Sequence, residues 1–331
     1  MRNYQPYEHV VSVSGGKDST ALYLLALERR ERTGRDFIAV FADTGNEHEW
    51  TYDFVRELPA KTGGPEIRWV KADFTRQFEI RRKNLQKFWG KDGIPQETID
   101  RAHALLVPTG NPFLDLCMLK GRFPSSGSRF CTEELKVYPI QQQVYEPLFA
   151  SGIRAAISWQ GVRAEESAAR AMLPKWQRID PDIGRIYAYR ALIDWKLADV
   201  WAMHEKHGIR PNPLYSDNIG MTRVGCLPCI MARKSEIRSI AANFPEHIQR
   251  IEEWEAIVSA VSKRGAATMF EADTDPLLGS GATVEQVKQS GHGIRSVVEW
   301  SRTARGGRQY DLMLDPRVEF GTACNQWGAC E

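Results

Sequence analysis

Ser14-Gly15-Gly16-Lys17-Asp18-Ser19-Thr20 gathers residue types that suit one chemical task, the holding of phosphate. Two glycines let the backbone close on an anion, and a helix starting here would offer unpaired N–H groups and the positive end of its dipole. Lys17 and the hydroxyls of Ser14, Ser19 and Thr20 add donors. The stretch is not the Walker arrangement, which places four residues between its first glycine and its Gly-Lys pair. A plain helix cap would use Ser or Asp but needs neither the glycine pair nor the lysine. Downstream, Asp43-Thr44-Gly45 ends an apolar run, where a carboxylate suits a ribose hydroxyl or a magnesium ion. Cys226 and Cys229, two residues apart in Cys226-Leu227-Pro228-Cys229, can turn both sulfurs to one metal centre.

These residues need a frame. His9–Ser12 is a short apolar run into the glycine turn, and Asp18–Arg32 has helical spacing up to Gly34. Phe37–Ala42 and Ile67–Lys71 read as buried strands, with a helix over Trp50–Lys61 between them, and Ile153–Trp159 as a further core strand leading to Gly161. Such alternation predicts an α/β fold with a doubly wound, mostly parallel sheet of Rossmann-like type, whose ligand crevice lies at the carboxyl ends of the strands. Ile193–His207 reads as an amphipathic helix closed by Gly208. The segment over about 74–129, rich in Arg, Lys, Gly and Pro, breaks the rhythm as an insertion lobe. Residues 1–235 form the main domain, and 236–331 a mainly helical C-terminal lobe with patterns at Ser235–Phe244 and Pro245–Arg264.

Composition excludes several classes. With 331 residues, 42% hydrophobic and 26% charged, and no apolar run near the roughly 20 residues of a membrane span, the chain reads as globular, with no membrane partner. The 44 basic and 42 acidic residues leave +2, so nucleic-acid binding has to be sought in local patches. The N-terminus lacks an export signal, which points to the cytoplasm, where six cysteines suit metal or redox chemistry better than disulfides.

The loop Ser14–Thr20 resembles the pyrophosphate loop of ATP pyrophosphatases, which split ATP between its α and β phosphates. The wider pattern adds Cys131-Thr132-Glu133-Glu134, Gly161-Val162-Arg163-Ala164-Glu165-Glu166-Ser167 with Arg170, Asp194-Trp195, and Asn212-Pro213-Leu214-Tyr215 ahead of Gly225-Cys226. In this order it is similar to the phosphoadenosine phosphosulfate (PAPS) reductase family, over residues 9 to about 235. The resemblance implies an adenine nucleotide alpha-hydrolase-like fold, with Gly161 and Arg163 at the nucleotide and Arg163 and Arg170 facing its phosphate or sulfate end. A guanidinium suits paired oxygen acceptors, although a surface salt bridge is the alternative for each arginine. Trp195 and Trp201 are read as core residues ahead of base platforms.

The resemblance also organises the cysteines. Cluster-bearing adenylylsulfate reductases join their two-residue-spaced pair to a tandem Cys-Cys, whereas here the matching stretch has Cys131 alone. Cys117 then supplies the fourth ligand, with Lys120, Arg122 and Arg129 between the two. Cys117, Cys131, Cys226 and Cys229 make the expected 4Fe-4S site, with Zn²⁺ the competitor because four thiolates satisfy it too. Cys324 and Cys330 in the terminal tail stand as candidate catalytic cysteines; a redox pair, a persulfide carrier and an inert tail are all open, since the family's Glu-Cys-Gly context is missing.

PAPS reductases have generally lost part of the pyrophosphate loop, whereas this chain keeps it whole. That favours ATP with Mg²⁺ as the nucleotide and Lys17, Asp18 and Ser19 as the catalytic group. Loop, reductase-like body and cysteine set together resemble the ATP pyrophosphatase component of DNA phosphorothioation systems and, more remotely, cluster-bearing tRNA thiolases. The implied partners are nucleic acid, DNA ahead of tRNA, a sulfur donor such as a cysteine desulfurase, and other proteins of a modification complex. Arg76, Arg81, Arg82, Lys83, Lys87 and Lys91, interleaved with Phe74, Phe78, Phe88 and Trp89, form a candidate nucleic-acid segment, or a solvated helix face. Ser301–Tyr310 is a weaker basic candidate. The alternatives are a PAPS or adenylylsulfate reductase forming sulfite, and a non-catalytic nucleotide-sensing subunit of a modification or defence complex.

Overall fold

The computed structural model describes residues 7–179, 183–270 and 283–303. In chain order the first part comprises β1 (Tyr7–Ser12), α1 (Lys17–Thr33), β2 (Ile38–Asp43), α2 (Glu49–Thr62), β3 (Ile67–Lys71), α3 (Thr75–Phe88), α4 (Gln96–Leu105) and α5 (Pro112–Lys120). Next come α6 (Phe130–Thr132), α7 (Tyr138–Ile140) and α8 (Glu146–Ala150), joined by two π-helical turns, then β4 (Ala155–Trp159) and α9 (Ala168–Ala171). The remainder is β5 (Trp176–Ile179), β6 (Arg185–Tyr189), α10 (Leu197–Lys206), α11 (Lys234–Asn243), α12 (Pro245–Ala260), α13 (Val284–Ser290) and α14 (Ile294–Arg302).

The six strands form one sheet in the order β3-β2-β1-β4-β6-β5, parallel throughout except for the β5–β6 pair. Alternate residues feed two separate cores: Val11, Phe41 and Trp159 pack on one face, Val10, Val40 and Ala156 on the other. Burial on both faces explains why the strands read as continuous apolar runs instead of alternating ones. The order reverses between β1 and β4, so the loops after these strands open into one crevice, the place where such sheets bind ligands. The hairpin of β5 and β6 is an addition to the expected strands. The helix expected from Ile193 starts only at Leu197, because Asp199 accepts the Lys196 N–H at 2.7 Å and so defines the N-terminus there.

The chain divides into two compact units. Within the described residues, the sheet unit comprises 7–72 and 132–226 and the second unit 73–131 and 227–303. The insertion lobe and the C-terminal lobe, distinct in the sequence reading, thus share a unit. The reason is packing: α12 carries Ile248, Ile251, Trp254 and Val258 on one stripe, and this stripe needs a cover. α4 and α5 supply it, with Phe113 of α5 lying 5.7 Å from Trp254 between ring centroids.

Glu255 of α12 fastens the later part of this unit. Its carboxylate, 8% exposed, accepts the Met269 N–H at 2.8 Å and the Ile294 N–H at 2.9 Å, the latter at the start of α14. Burial raises its pKa from 4.5 to about 7. Between these values the folded chain binds the proton that the unfolded chain has released, so this group makes stability fall as pH rises across that window. Glu255→Gln is expected to remove that contribution to the slope. It should also cost about 1–3 kcal/mol, because an amide offers one acceptor oxygen to two buried N–H groups. Thermal unfolding of both proteins from pH 4.5 to 7 checks both effects.

Candidate active site

The glycine loop lies between β1 and α1, as the sequence reading has it. Ser19 Oγ accepts the Ser14 N–H at 3.1 Å, and Thr20 Oγ1 donates to the Gly16 carbonyl at 2.8 Å, so the hydroxyls brace the turn from within. Gly15 has φ +79° and passes so close to α2 that a Cβ would meet Thr51 Cγ2 at 2.8 Å; only glycine fits. Gly161, following β4, comes near α1, though less closely: a Cβ there would lie 3.3 Å from the Ser19 nitrogen.

The charged centre is Asp18, 1% exposed. Lys17 Nζ lies 2.8 Å from one carboxylate oxygen and Arg163 Nε 2.5 Å from the other. Arg163, itself buried, also pairs with Glu165 at 2.6 Å, and its N–H donates to Glu166 at 3.0 Å. Arg170 pairs with Glu166. Both arginines that the resemblance turns towards an anion therefore have carboxylate partners. Arg163 acts on Asp18 of the glycine loop.

Three residues support the loop without having stood out as site residues. His204 Nε2 faces the Lys17 carbonyl at 2.9 Å and Nδ1 faces the Ile209 carbonyl at 3.3 Å, while burial lowers its pKa. Tyr215 accepts the Lys17 N–H at 3.1 Å, and its ring lies 5.6 Å below Lys17 Nζ. Asn212, 2% exposed, donates to the Gly15 carbonyl at 3.3 Å. Asn212 and Tyr215 lie in the quoted Asn-Pro-Leu-Tyr segment; His204 has no signal beyond its place on α10. Trp195 packs against the sheet core, and Trp201 stands edge-on to Tyr215 at 5.7 Å.

Asp43 and Thr44 close the adjacent strand end. Asp43 Oδ1 accepts from the Gly45 N–H and from Tyr52 Oη, each at 2.9 Å. Glu47, absent from the sequence-derived set, is 4% exposed and accepts from Thr44 Oγ1 at 2.7 Å and from Tyr52 Oη at 3.0 Å. Burial raises the Glu47 pKa, and it raises that of Tyr52 together with the neighbouring carboxylates. Cys226 pairs by backbone with Glu47 and sits 3.5 Å from Thr44 Oγ1 through its sulfur.

None of the four described cysteines is in a disulfide among the described residues. Cys117 is fully buried on α5, where burial pushes its thiol well up and the nearby Cys131 adds to the effect. Beside Cys131, Lys120 and Arg122 stand 5.7 and 5.3 Å from the Phe130 ring. Cys229 Sγ accepts the Met231 N–H at 3.4 Å. Cys226 falls in the sheet unit and the other three in the second unit; within the second unit Cys131 lies near enough to Cys117 to raise its thiol. Cys324 and Cys330 lie outside the described residues, as does most of 301–310.

On α3, Phe74, Phe78 and Trp89 are buried and only Phe88 stays exposed, which corrects the aromatic interleaving expected of the 76–91 segment. Arg81 lies over Trp89 at 5.7 Å and is partly buried. Phe78 and Leu85 are the buried residues within the helix, so the inward face fills a core. Among the described residues no helix is long and apolar enough to cross a membrane.

The chain is similar to several known proteins. A 37.8 kDa protein of the gpa 5′ region of Escherichia phage 186 is 44% identical over 333 residues, 98% of this chain and 96% of that protein. A nin region protein, ORF290, of Escherichia phage lambda is 31% identical over 245 residues, 73% of this chain and 72% of that protein. The PAPS reductase of Candida auris, in its phosphate complex, is 18% identical with a TM-score of 0.39, covering 67% of this chain and 82% of that one. The family model of the phosphoadenosine phosphosulfate reductase domain matches residues 8–107 and 115–232, which take in the glycine loop, Gly161–Arg170 and the Cys226–Cys229 turn. By that match the chain belongs to the phosphoadenosine phosphosulfate reductase domain family.

Proposed function

We propose that the chain binds ATP at the glycine loop and moves its adenylyl group to an acceptor, releasing pyrophosphate, so that sulfur can replace the activated oxygen. The acceptor is nucleic acid, DNA ahead of tRNA, and the sulfur comes from a donor such as a cysteine desulfurase. The observation that carries this reading is the double pairing of Asp18. A buried carboxylate stripped of its only counter-ion would be strongly destabilising. Because Arg163 also holds Asp18, Lys17 can leave it for the β and γ phosphate oxygens without stranding the charge. The acceptor oxygen attacks the α phosphorus, the bond to the bridging oxygen breaks, and Lys17 neutralises the departing pyrophosphate. A magnesium ion, with Asp43 as the carboxylate offered at this end of the sheet, would add a further positive charge to the leaving group.

For the cysteines we propose a 4Fe-4S cluster on Cys117, Cys131, Cys226 and Cys229, with Zn²⁺ as the competitor. Four cysteines outside any described disulfide, an N–H donor to the Cys229 sulfur, and the cations Lys120 and Arg122 at the Phe130 ring fit the donor set and negative charge of such a group. The family match favours a second reading, reduction of PAPS or adenylylsulfate to sulfite.

Lys17→Ala is expected to abolish pyrophosphate release from ATP, with the far-ultraviolet circular dichroism unchanged, since the side chain supports no core. ATP, PAPS and adenylylsulfate compared side by side decide between the readings: sulfite from PAPS without pyrophosphate from ATP would establish the reductase. Protein prepared without oxygen should be brown and hold about four irons per chain. Cys131→Ser or Cys229→Ser should lose the iron and Cys324→Ser keep it; stoichiometric zinc in colourless protein from iron-replete cells would overturn the cluster.

A further inference from the structure

Adenylyl transfer through Lys17 makes no use of His204 of α10, which is 2% exposed and faces a carbonyl oxygen with each ring nitrogen. Nε2 lies 2.9 Å from the Lys17 carbonyl, in the first turn of α1, and Nδ1 lies 3.3 Å from the Ile209 carbonyl. A carbonyl oxygen only accepts, and a neutral imidazole has one N–H to give. The shorter contact takes it: Nε2–H donates to Lys17, and the Nδ1 lone pair is left facing the lone pairs of Ile209. Only the doubly protonated ring satisfies both carbonyls.

The Ile209 side of the ring leads back to the loop. Gly208, at φ +64°, turns the chain so that the Ile209 N–H donates to the His204 carbonyl at 2.9 Å while its own carbonyl meets the ring. From there the chain runs to Asn212, which donates to the Gly15 carbonyl at 3.3 Å, and to Tyr215, which accepts the Lys17 N–H at 3.1 Å. Lys17 is therefore held at its carbonyl by His204 and at its N–H by Tyr215, with segment 209–215 joining the two holds. The contact of Nδ1 with Ile209 is the link that a proton converts from opposed lone pairs into a charge-assisted hydrogen bond.

The charges around the ring are few and opposed. Burial above all, with Lys17 of α1 adding to it, lowers the His204 pKa, while the two carbonyls and Asp18 of α1 favour the imidazolium. On α10 itself, Lys206 and His207 are both paired with Glu28 of α1. Trp201 stands 5.4 Å from the His204 ring, and Tyr215 stands 5.7 Å from Trp201. When Lys17 turns from Asp18 to phosphate oxygens, its opposition weakens, Arg163 stays on Asp18, and the anion brings further negative charge to the start of α1.

We propose that His204 is a positioning residue of the loop: a bound polyphosphate draws one proton from solvent onto Nδ1, and the imidazolium then ties Ile209, and with it the Asn212–Tyr215 turn, to Lys17. This role rests on the glycine loop being a polyphosphate site. The Nδ1 lone pair takes the proton, no bond between heavy atoms changes, and the proton returns to solvent when the anion leaves.

Binding of inorganic pyrophosphate to the full chain, followed by calorimetry from about pH 5.5 to 8, tests the role without any adenylyl transfer. In His204→Gln the amide keeps a donor for the Lys17 carbonyl and does not titrate. The bound state holds the extra proton, so the affinity of the unaltered chain relative to His204→Gln should be near one at the alkaline end. It should climb as pH falls, by at most about tenfold per unit for one linked proton. The ratio cancels the titration of pyrophosphate itself. His204→Leu, which loses the donor as well, should bind about 2- to 12-fold more weakly even at the alkaline end. Nitrogen-15 spectra of the unaltered chain, with the ring assigned through its bonds to the backbone, should show His204 protonated on Nε2 alone at neutral pH and on both nitrogens when pyrophosphate saturates the loop. These spectra decide the matter even where a variant does not fold. A ring that stays neutral with pyrophosphate, one that is doubly protonated without it, equal pH dependence in the unaltered chain and His204→Gln, or no pyrophosphate binding would each overturn the role. Proton uptake in a chain that releases no pyrophosphate from ATP removes the ATP reading and leaves His204 standing; turnover of ATP beside a ring that stays neutral does the reverse.

Discussion

A single buried carboxylate organises the loop end of the sheet. Asp18 sits in the first turn of α1, where the helix dipole already favours a negative charge, and it is held by two cations, one adjacent in sequence and one 145 residues further on. Lys17 is its neighbour in sequence; Arg163 arrives from the loop after β4. The ion pair therefore ties the β1 loop to the β4 loop across the point where the strand order reverses. Gly161 makes the approach possible, since a side chain there would press on the α1 backbone. Glu165 and Glu166 then align Arg163, and the Leu197 N–H, donating to Glu165 at 2.8 Å, adds the start of α10 to the same network.

The strand ends on the other side of the loop are tied by neutral and acidic groups instead. Tyr52 of α2 places its one hydroxyl proton between Asp43 and Glu47, within hydrogen-bond reach of both, so that it bridges two carboxylates that would otherwise repel each other in a poorly solvated place. Thr44 divides its attention between Glu47 and the sulfur of Cys226. The Asp43–Glu47 turn and the first cysteine of the Cys-Leu-Pro-Cys segment are thus parts of one hydrogen-bonded corner of the sheet unit.

Much of this was legible in the residues themselves. The strands β1 to β4 and helices α1, α2, α11 and α12 announce themselves by apolar period and glycine stops, and Ser14–Thr20 by composition. What stayed hidden depends on long-range packing. The hairpin β5–β6 is too short and too rich in Arg and Tyr to stand out from a loop, and its place at the edge comes from pairing with β4. His204, Tyr52 and Glu47 gain their roles only when α10 and α2 settle over the loop. The α3 segment shows the reverse case: rings and cations share one stretch of sequence, but the helix turns most rings inward.

The second unit is assembled from two chain segments separated by most of the sheet unit. Helices α3 to α5 leave a synthesising ribosome well before α12, whose stripe completes their core. During that interval Phe113 and its neighbours have no lasting cover, and the contacts that will bury them span well over a hundred residues of sequence. Such non-local closure is slow and leaves apolar surface open to misassociation. Production of this chain should therefore be governed by how quickly translation reaches α12, and shortened forms ending at the Cys-Leu-Pro-Cys segment would carry three helices with an unfinished core.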